Sequence, residues 1–517
     1  MDGREIELKL GLAPADMERV RLRPCFDAHA KEAPTERRLN STYFDTPDFA
    51  LADAGISLRV RHVGSRYIQT VKTAGTSTSG LFQRDEWETP VASAVPETEP
   101  LLATGLAIFT DADLVGRLAP VYSTDVHRTL YRLTGGEPES GSAWEIEAAL
   151  DLGEVAAGAA REGICEIEFE LVKGAPDILF SVARQVLDAV PARPLTATKS
   201  ERGFLLATGR GIVPVKAKAP PLDHDLSVAT AFQTIGRSCL DHLLTNERCL
   251  LATGHGEAIH QMRVALRRLR SAIKVFRPVL DTPRLTEIKA DLRWLLAHLG
   301  PARDADVFLA EIIDPVVAAH PGISGLNALR AHWLADRDAR LATAIEAVRS
   351  RRFAAMALQL GEWVESGDWL RPANERARRK LDAPIPAFAV GRLGKATRRL
   401  LRTAGDDLGR LPPEQLHAVR INGKQVRYAG EFFASLVPRK HMKVFLAELS
   451  ELQDVLGKLN DINVAGPKLA GRHAQGGRSK AAGMVSGWHE ARRAPLLAEA
   501  QKAWKRWRNY PLPWHDA

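Results

Sequence analysis

The 517 residues are 45% hydrophobic and 26% charged, the balance of a soluble globular protein, and the chain is too long for one ordinary core, so two or three domains are expected. No apolar run approaches the roughly 20 residues that span a bilayer, and the first ten residues show no apolar signal segment, so neither a membrane-spanning helix nor a secretory leader is expected. The formal charge of +8 hides an asymmetry: residues 1–210 hold 23 Lys and Arg against 32 Asp and Glu, net −9, and residues 211–517 hold 48 against 31, net +17.

A basic half should attract a polyanion, and an acidic half can hold cations. Four scattered cysteines (Cys25, Cys165, Cys239 and Cys249) form no CxxC pair and read as reduced structural thiols of a reducing compartment.

The first predicted element is a strand. Glu5, Glu7 and Lys9 share one face of it and Ile6, Leu8 and Leu10 the other. The device recurs along the chain. Arg59 and Arg61 alternate with Leu58 and Val60, and Arg84, Glu86 and Glu88 share one parity. Glu145 and Glu147 flank Ile146, and Glu166, Glu168 and Glu170 alternate with Ile167, Phe169 and Leu171. One such strand is usually a solvated sheet face. Five that combine carboxylate pairs with arginine pairs point to a closed barrel with a charged interior and an apolar, helix-covered exterior. Cations inside would neutralise a phosphate chain. Carboxylate pairs are hard ligands for Mg2+ or Mn2+, which bridge phosphates. Neither set could be buried alone at tolerable cost.

These residues resemble the CYTH family, the triphosphate tunnel metalloenzymes. Glu5-Ile6-Glu7-Leu8-Lys9 is an ExExK pattern, followed in order by Tyr43-Phe44-Asp45-Thr46-Pro47, Gly55 to Arg61, Gln69 to Lys72, Arg84 to Glu88, Arg128, Asp151, Glu168-Phe169-Glu170 and Thr198 to Gly203. The resemblance covers about residues 3–208. It implies an eight-stranded antiparallel β tunnel with flanking helices that hydrolyses or cyclises triphosphates with a divalent metal. It implies metal ligation by Glu5, Glu7, Glu168 and Glu170, with Glu86 and Asp151 as further ligands. Lys9, Arg59, Arg61, Lys72, Arg84, Arg128 and Lys199 would bind the triphosphate. Glu166 shares parity with Glu168, so the ligand pair on that strand can be shifted by one step.

Residues 211–223, with three prolines and no apolar period, read as a linker. The expected boundaries are a first domain at 1–208, a linker at 209–223 and a second domain at 224–517. Beyond the linker the apolar spacing is helical, a Pro/Gly stretch near Leu370–Pro386 divides this half, and Gly471–Gly483 looks loop-like. His260, Arg263, Arg267 and Arg270 occupy offsets 0, 3, 7 and 10 on one helix face, and Lys274 extends it. His417, Arg420, Lys424 and Arg427 repeat the offsets. His260 to His417 spans 157 residues, as does Asp304 to Asp461, which argues for a duplicated unit. Ile259, Met262, Leu266, Leu269, Ile273 and Phe276 form the opposite, core-facing side. A basic stripe is often only a solvated face, but few acids share these stripes. The two histidines read as phosphate donors, because neither has a His or Cys partner at zinc-ligand spacing. Trp504-Lys505-Arg506-Trp507-Arg508 reads as an amphipathic last helix.

This half, residues 224–517, resembles the CHAD family, which implies an all-α domain of two pseudo-symmetric four-helix units that bind inorganic polyphosphate. The resemblance casts the two basic stripes as the polyphosphate site, while Arg303–Asp304 and Asn460–Asp461 orient the basic residues. The whole reads as an inorganic triphosphatase of the cytoplasm, using Mg2+ or Mn2+ and joined to a polyphosphate-binding module, with granule association left open. The alternatives are a non-catalytic polyphosphate scaffold, and a triphosphatase or cyclase for a nucleotide or thiamine triphosphate. No membrane partner is expected. Nucleic acid is disfavoured as a partner, since no aromatics interleave with the basic residues to stack bases.

Overall fold

The computed structural model describes residues 4–21, 26, 29, 30, 32–137, 142–470 and 477–514. Two compact units emerge: residues Met1–Val213 with Arg349–Gly367, and residues Pro214–Val348 with Asp368–Ala517.

The first unit is built on ten strands: β1 (Arg4–Leu12), β2 (Thr35–Asp45), β3 (Ile56–Val63), β4 (Arg66–Thr73), β5 (Thr76–Thr78), β6 (Leu81–Val91), β7 (Ala119–Gly135), β8 (Trp144–Ala157), β9 (Ala160–Lys173) and β10 (Ala192–Pro194). Every pairing is antiparallel, and eight strands close in the order β1-β9-β8-β7-β2-β3-β4-β6. Closure depends on β1 being paired along both edges: Lys9 stands opposite Glu168 on β9, and Glu5 opposite Arg84 on β6. Short β5 and β10 append to β6 and β1.

Period-two alternation decides what faces inward. Leu8, Leu10, Ile146, Ile167 and Phe169 point outward and bury against Leu179, Phe180, Ala183 and Val186, which lie on one stripe of α2 (Asp177–Ala189); α1 (Pro14–Arg21) adds Met17 and Val20 to the same cluster. On another wall Phe44, Leu58, Val60 and Val71 pack on Leu101, Phe109 and Leu114. α3 (Lys199–Thr208) stands against β7, β8 and β9. Thr198 caps it by accepting the Glu201 N–H at 3.1 Å. Gly203 touches the Tyr122 ring so closely that a Cβ there would lie 2.2 Å from it.

The second unit is helical: α4 (Val228–Thr253), α5 (Gly256–Leu280), α6 (Arg284–Val307) and α7 (Ser324–Arg349) precede α8 (Arg351–Ser366), and α9 (Ile385–Ala404), α10 (Pro413–Phe432), α11 (Arg439–Ala470), α12 (Gly477–Glu490) and α13 (Arg493–Arg508) follow it. The duplicated sequence gives a duplicated packing, with α5 touching α4 and α6, and α10 touching α9 and α11. α5 and α10 also meet each other. Arg268, buried, ion-pairs with Glu431 at 3.2 Å and lies over the Phe432 ring. Lys274 donates to Gln425 at 2.7 Å. The apolar side read from the sequence, Ile259 to Phe276, is buried throughout. Trp504 and Trp507 sit inside, as an amphipathic α13 requires.

Two sequence readings meet corrections or limits. Gly477–Gly483 is helical, not loop, because Ala481, Ala482 and Val485 bury against Phe308, Leu326 and Trp333, which outweighs the helix cost of the glycines; residues 471–476 lie outside the described ones. Cys25 does too, while Cys165, Cys239 and Cys249 form no disulfide among the described residues.

α8 falls among the C-terminal helices in sequence yet belongs to the first unit. Its Ala354 and Leu358 join the cluster of Phe180 and Ala183. Glu362 pairs with Arg184, and Arg351 with Asp188 at 2.7 Å.

Candidate functional site

The barrel encloses a cavity of about 360 Å3. Its wall carries twelve of the thirteen tunnel residues singled out above, namely Glu5, Glu7, Lys9, Arg59, Arg61, Lys72, Arg84, Glu86, Arg128, Glu168, Glu170 and Lys199. Asp151 is the exception and lies fully buried behind the wall.

One group of carboxylates surrounds the start of β1. Lys72 donates to Glu5 at 2.7 Å and lies 2.9 Å from Glu86. Arg84 donates from Nε to Glu5 at 2.7 Å and from Nη2 to Glu7. These two cations outweigh the burial of Glu5 and hold its pKa below the usual carboxylate range. Glu170 faces Glu7 across the β1–β9 ladder and pairs with no described cation. Solvent reaches it within the tunnel, yet the surrounding wall and the charges of Glu5, Glu86 and Glu7 push its pKa up to about 7. That is the signature of a carboxylate set short of positive charge. Hard oxygen donors crowded without enough cations fit a divalent ion such as Mg2+ or Mn2+.

A second group is already neutralised. Asp151, Glu166 and Glu168 bring carboxylate oxygens within 4.8 Å of one another, but the Lys199 ammonium stands among all three, 2.7 Å from Asp151 and 2.9 Å from Glu168. Arg128 grips Asp151 with two hydrogen bonds of 2.7 Å and also reaches Glu168. Lys9 donates to Glu168 and lies 3.1 Å from Glu7. Burial would strip these charges, yet their mutual attraction raises the pKa of Lys199 and of Arg128 and lowers that of Glu168. The second group therefore holds cations, with Glu168 between the two groups.

Arg59 lies 3.5 Å from Glu88 and 3.9 Å from Glu86, and its buried Nε has no hydrogen-bond partner among the described residues. Arg61 donates to Ser41 at 3.2 Å. Sequence reasoning missed Arg37 and Arg66 and gave no individual role to Tyr43 or Glu147, all of which line the cavity. Tyr43 stacks on Tyr122 with ring centroids 4.6 Å apart; despite burial, Arg59 and Arg61 draw its phenol pKa down. The adjoining Asp45 is structural, since its carboxylate accepts the N–H groups of Thr46, Leu51 and Ala52 at 2.7, 2.9 and 3.0 Å. Gly80 (φ +86°) lets a turn press against β1: Lys9 N donates to its carbonyl at 2.9 Å, and a Cβ there would lie 2.8 Å from the Lys9 carbonyl.

In the helical unit the two basic stripes lie on the packed helices α5 and α10. Arg263 donates to Asp304 at 3.1 Å, and His417 pairs with Asn460 at 2.8 Å. Asp304 thus holds Arg263, and Asn460 holds His417. Burial and then Arg303 push His260 down to about 4; burial and then Arg267 push Arg263 down to about 10. Burial and the charges of Arg420, Arg267 and Arg427 push Lys424 down to about 7. Arg267 belongs to the first repeat and Lys424 to the second, so the stripes converge. The buried Nε atoms of Arg263, Arg420 and Arg427 lack hydrogen-bond partners among the described residues, although Arg427 Nε lies 3.7 Å from Glu431. Arg270 is exposed on the same helix and Lys274 is tied to α10.

Family models for the CYTH domain and the CHAD domain match residues 3–204 and 234–470 respectively. An inorganic triphosphatase of Haemophilus influenzae is 33% identical over 170 residues, 33% of this chain and 46% of that protein, so the chain spans less than half of that relative's length. An uncharacterised protein of Mycobacterium tuberculosis strain H37Rv is 28% identical over 444 residues, 82% of this chain and 81% of its own. The crystal structure of the CHAD domain from the plant Ricinus communis aligns at 30% identity with a TM-score of 0.51, covering 59% of this chain and 99% of that one.

Proposed function

This chain joins a CYTH domain to a CHAD domain, and we propose that the first hydrolyses inorganic triphosphate to pyrophosphate and phosphate with Mg2+ or Mn2+ while the second binds inorganic polyphosphate. The observation that carries the reading is one cavity whose wall sets nine Lys and Arg side chains beside a carboxylate group short of cations.

Glu5, Glu7, Glu86 and Glu170, bordered by Glu168, would hold the metal, which supplies charge neutralisation at phosphate oxygens and an activated water. Lys9, Lys72, Arg59, Arg61, Arg84, Arg128 and Lys199 bind the triphosphate and oppose the charge that builds on its oxygens during phosphoryl transfer. Asp151 and Glu168 fix Arg128 and Lys199 before substrate arrives, so little reorganisation remains at the moment of reaction. Tyr43 is the one aromatic residue among those lining the cavity, and its face is taken by Tyr122. A nucleobase or thiazole ring therefore finds no free stacking surface, which favours the inorganic substrate over an organic triphosphate.

In the second unit the converging stripes, with buried guanidinium nitrogens lacking acceptors, fit a flexible polyanion. We place the activity in the cytoplasm; separately, no helix among the described residues is long and apolar enough to cross a membrane. Tethering a polyphosphate-binding unit to the tunnel would raise the local concentration of short chains.

The deciding assay is phosphate release with Mg2+ from tripolyphosphate, ATP, thiamine triphosphate and long-chain polyphosphate. Strong preference for tripolyphosphate supports the reading. Failure to cleave any of them, with polyphosphate still bound, would establish the scaffold instead.

A further inference from the structure

The cations of the tunnel divide into two classes. Lys9, Arg59, Lys72, Arg84, Arg128 and Lys199 each pair with a carboxylate. Three other arginines lining the same cavity, Arg37, Arg61 and Arg66, form no ion pair with any described residue. All three belong to one wall. Arg61 on β3 stands opposite Ser41 on β2 and Ile68 on β4. Arg66 opens β4 and faces Val63, the last residue of β3, one inward-facing step beyond Arg61. Arg37 lies two such steps before Ser41 on β2, opposite Arg128. Arg61 is half-buried, whereas Arg37 and Arg66 are exposed, so the row runs from the chamber outward to the rim.

Unneutralised like charges in a row are costly. Burial, then Arg59 and Arg128, push the pKa of Arg61 down to about 10. The nearby carboxylates relieve it only in part: Glu88 offsets some of the repulsion but forms no ion pair with Arg61, accepting from Thr70 at 3.1 Å and lying 3.5 Å from Arg59, and Glu147 lies 3.4 Å from Arg132. The demand for an anion therefore continues past the metal-side chamber and along the β2–β3–β4 wall. Leu39, Val63, Ile68 and Leu130 fill the space between these arginines. That collar is aliphatic, without the rings or amides that recognise a base, so what continues outward must itself be anionic.

We propose that Arg37 and Arg66, with Arg61 behind them, form an outer anion subsite for the phosphates of a linear chain beyond the first three. The substrates of the tunnel then include inorganic tetrapolyphosphate and longer chains entering end first. The inference rests on the triphosphatase reading of the chamber. Water attacks a phosphorus held in the chamber and one P–O–P bridge breaks. The water oxygen stays on the released phosphate, and its proton passes to the departing chain, now shorter by one unit. Guanidinium groups suit this role because they bind phosphate with two parallel N–H donors and keep their charge.

The test compares kcat/KM for tetrapolyphosphate and tripolyphosphate in the full-length protein and in an Arg37→Gln/Arg66→Gln variant. The tetra-to-tri ratio should fall about tenfold, the loss of two exposed charge-assisted contacts. An unchanged ratio would overturn the subsite. A wild-type chain that cleaved neither substrate would sink the triphosphatase reading alone. Calorimetric titration with tetrapolyphosphate would then decide the subsite, and equal affinity in wild type and variant would refute it.

Discussion

Lys199 Nζ lies 2.7 Å from Asp151 Oδ2, and the aspartate is closed to solvent. Asp151 also holds Arg128 through two bonds, so Asp151→Asn leaves buried Lys199 and half-buried Arg128 short of a counter-charge. That should cost about 3–5 kcal/mol, read as a lower denaturant midpoint for the first unit. Burial resists the charge of Asp151, but Lys199 and Arg128 hold its pKa below the usual carboxylate range. The stability it adds is thus complete at neutral pH and lost as pH falls through its folded pKa. Half-saturation by metal should stay near the wild-type value. A shift as large as that of Glu5→Gln would make Asp151 a metal ligand after all.

Glu5→Gln and Glu7→Gln each keep the shape of the wall and remove a charged oxygen donor. Metal-dependent release of phosphate from tripolyphosphate should fall more than about 100-fold, with polyphosphate binding by the helical unit unaltered. Turnover within a few fold of wild type in either variant would move the metal away from the start of β1.

The alternation of Glu5, Glu7 and Lys9 with Ile6, Leu8 and Leu10 made the charged interior legible before any pairing was known, because side-chain direction on a strand depends only on parity. Parity could not show depth. Glu166, Glu168 and Glu170 share a face, and only the register against β1 sets Glu170 beside Glu7 and Glu168 beside Lys9. Asp151 and Lys199 are 48 positions apart, and their bond needs α3 to return against β8. The arginine row was hidden too, since neither Arg37 nor Arg66 has a charged residue two positions away on its strand. Likewise the periodicity of α8 announces a buried face without saying which unit buries it.

Lys424 carries the pH dependence of the second unit. Burial, Arg420, Arg267 and Arg427 push its pKa down to about 7, with Asp461 opposing them. A bound polyanion raises that pKa, so binding above pH 7 takes up a proton. Affinity for long-chain polyphosphate should be level below pH 7 and decline as pH rises through the range from 7 to the bound-state value. Titrations at several pH values should show this slope in wild type and its absence in Lys424→Met. A slope that persists in the variant assigns the titration elsewhere.

Arg263 and Arg420 occupy the same place in the two repeats, each with a buried Nε that no described group accepts. Arg263→Glu and Arg420→Glu should each weaken polyphosphate binding by about tenfold or more, because a repelling charge replaces an attracting one. The slope of log K against log salt should shallow as well. Affinity and slope equal to wild type would return both stripes to the role of solvated helix faces.

α8 supplies the final prediction. Leu358 is fully buried in the cluster that holds Phe180 and Ala183, and Glu362 pairs with Arg184 of α2. Leu358→Ala should cost about 2–5 kcal/mol, and the cost should fall on the tunnel although the residue lies far along the chain from it. Heating would show it as inactivation of tripolyphosphate cleavage at a lower temperature, with polyphosphate binding retained past that point. A chain cut after Val213 lacks α8 altogether and leaves the α2 surface uncovered, so it should be less stable than the intact protein. Equal thermal inactivation of Leu358→Ala and wild type would show that α8 adds nothing to the barrel.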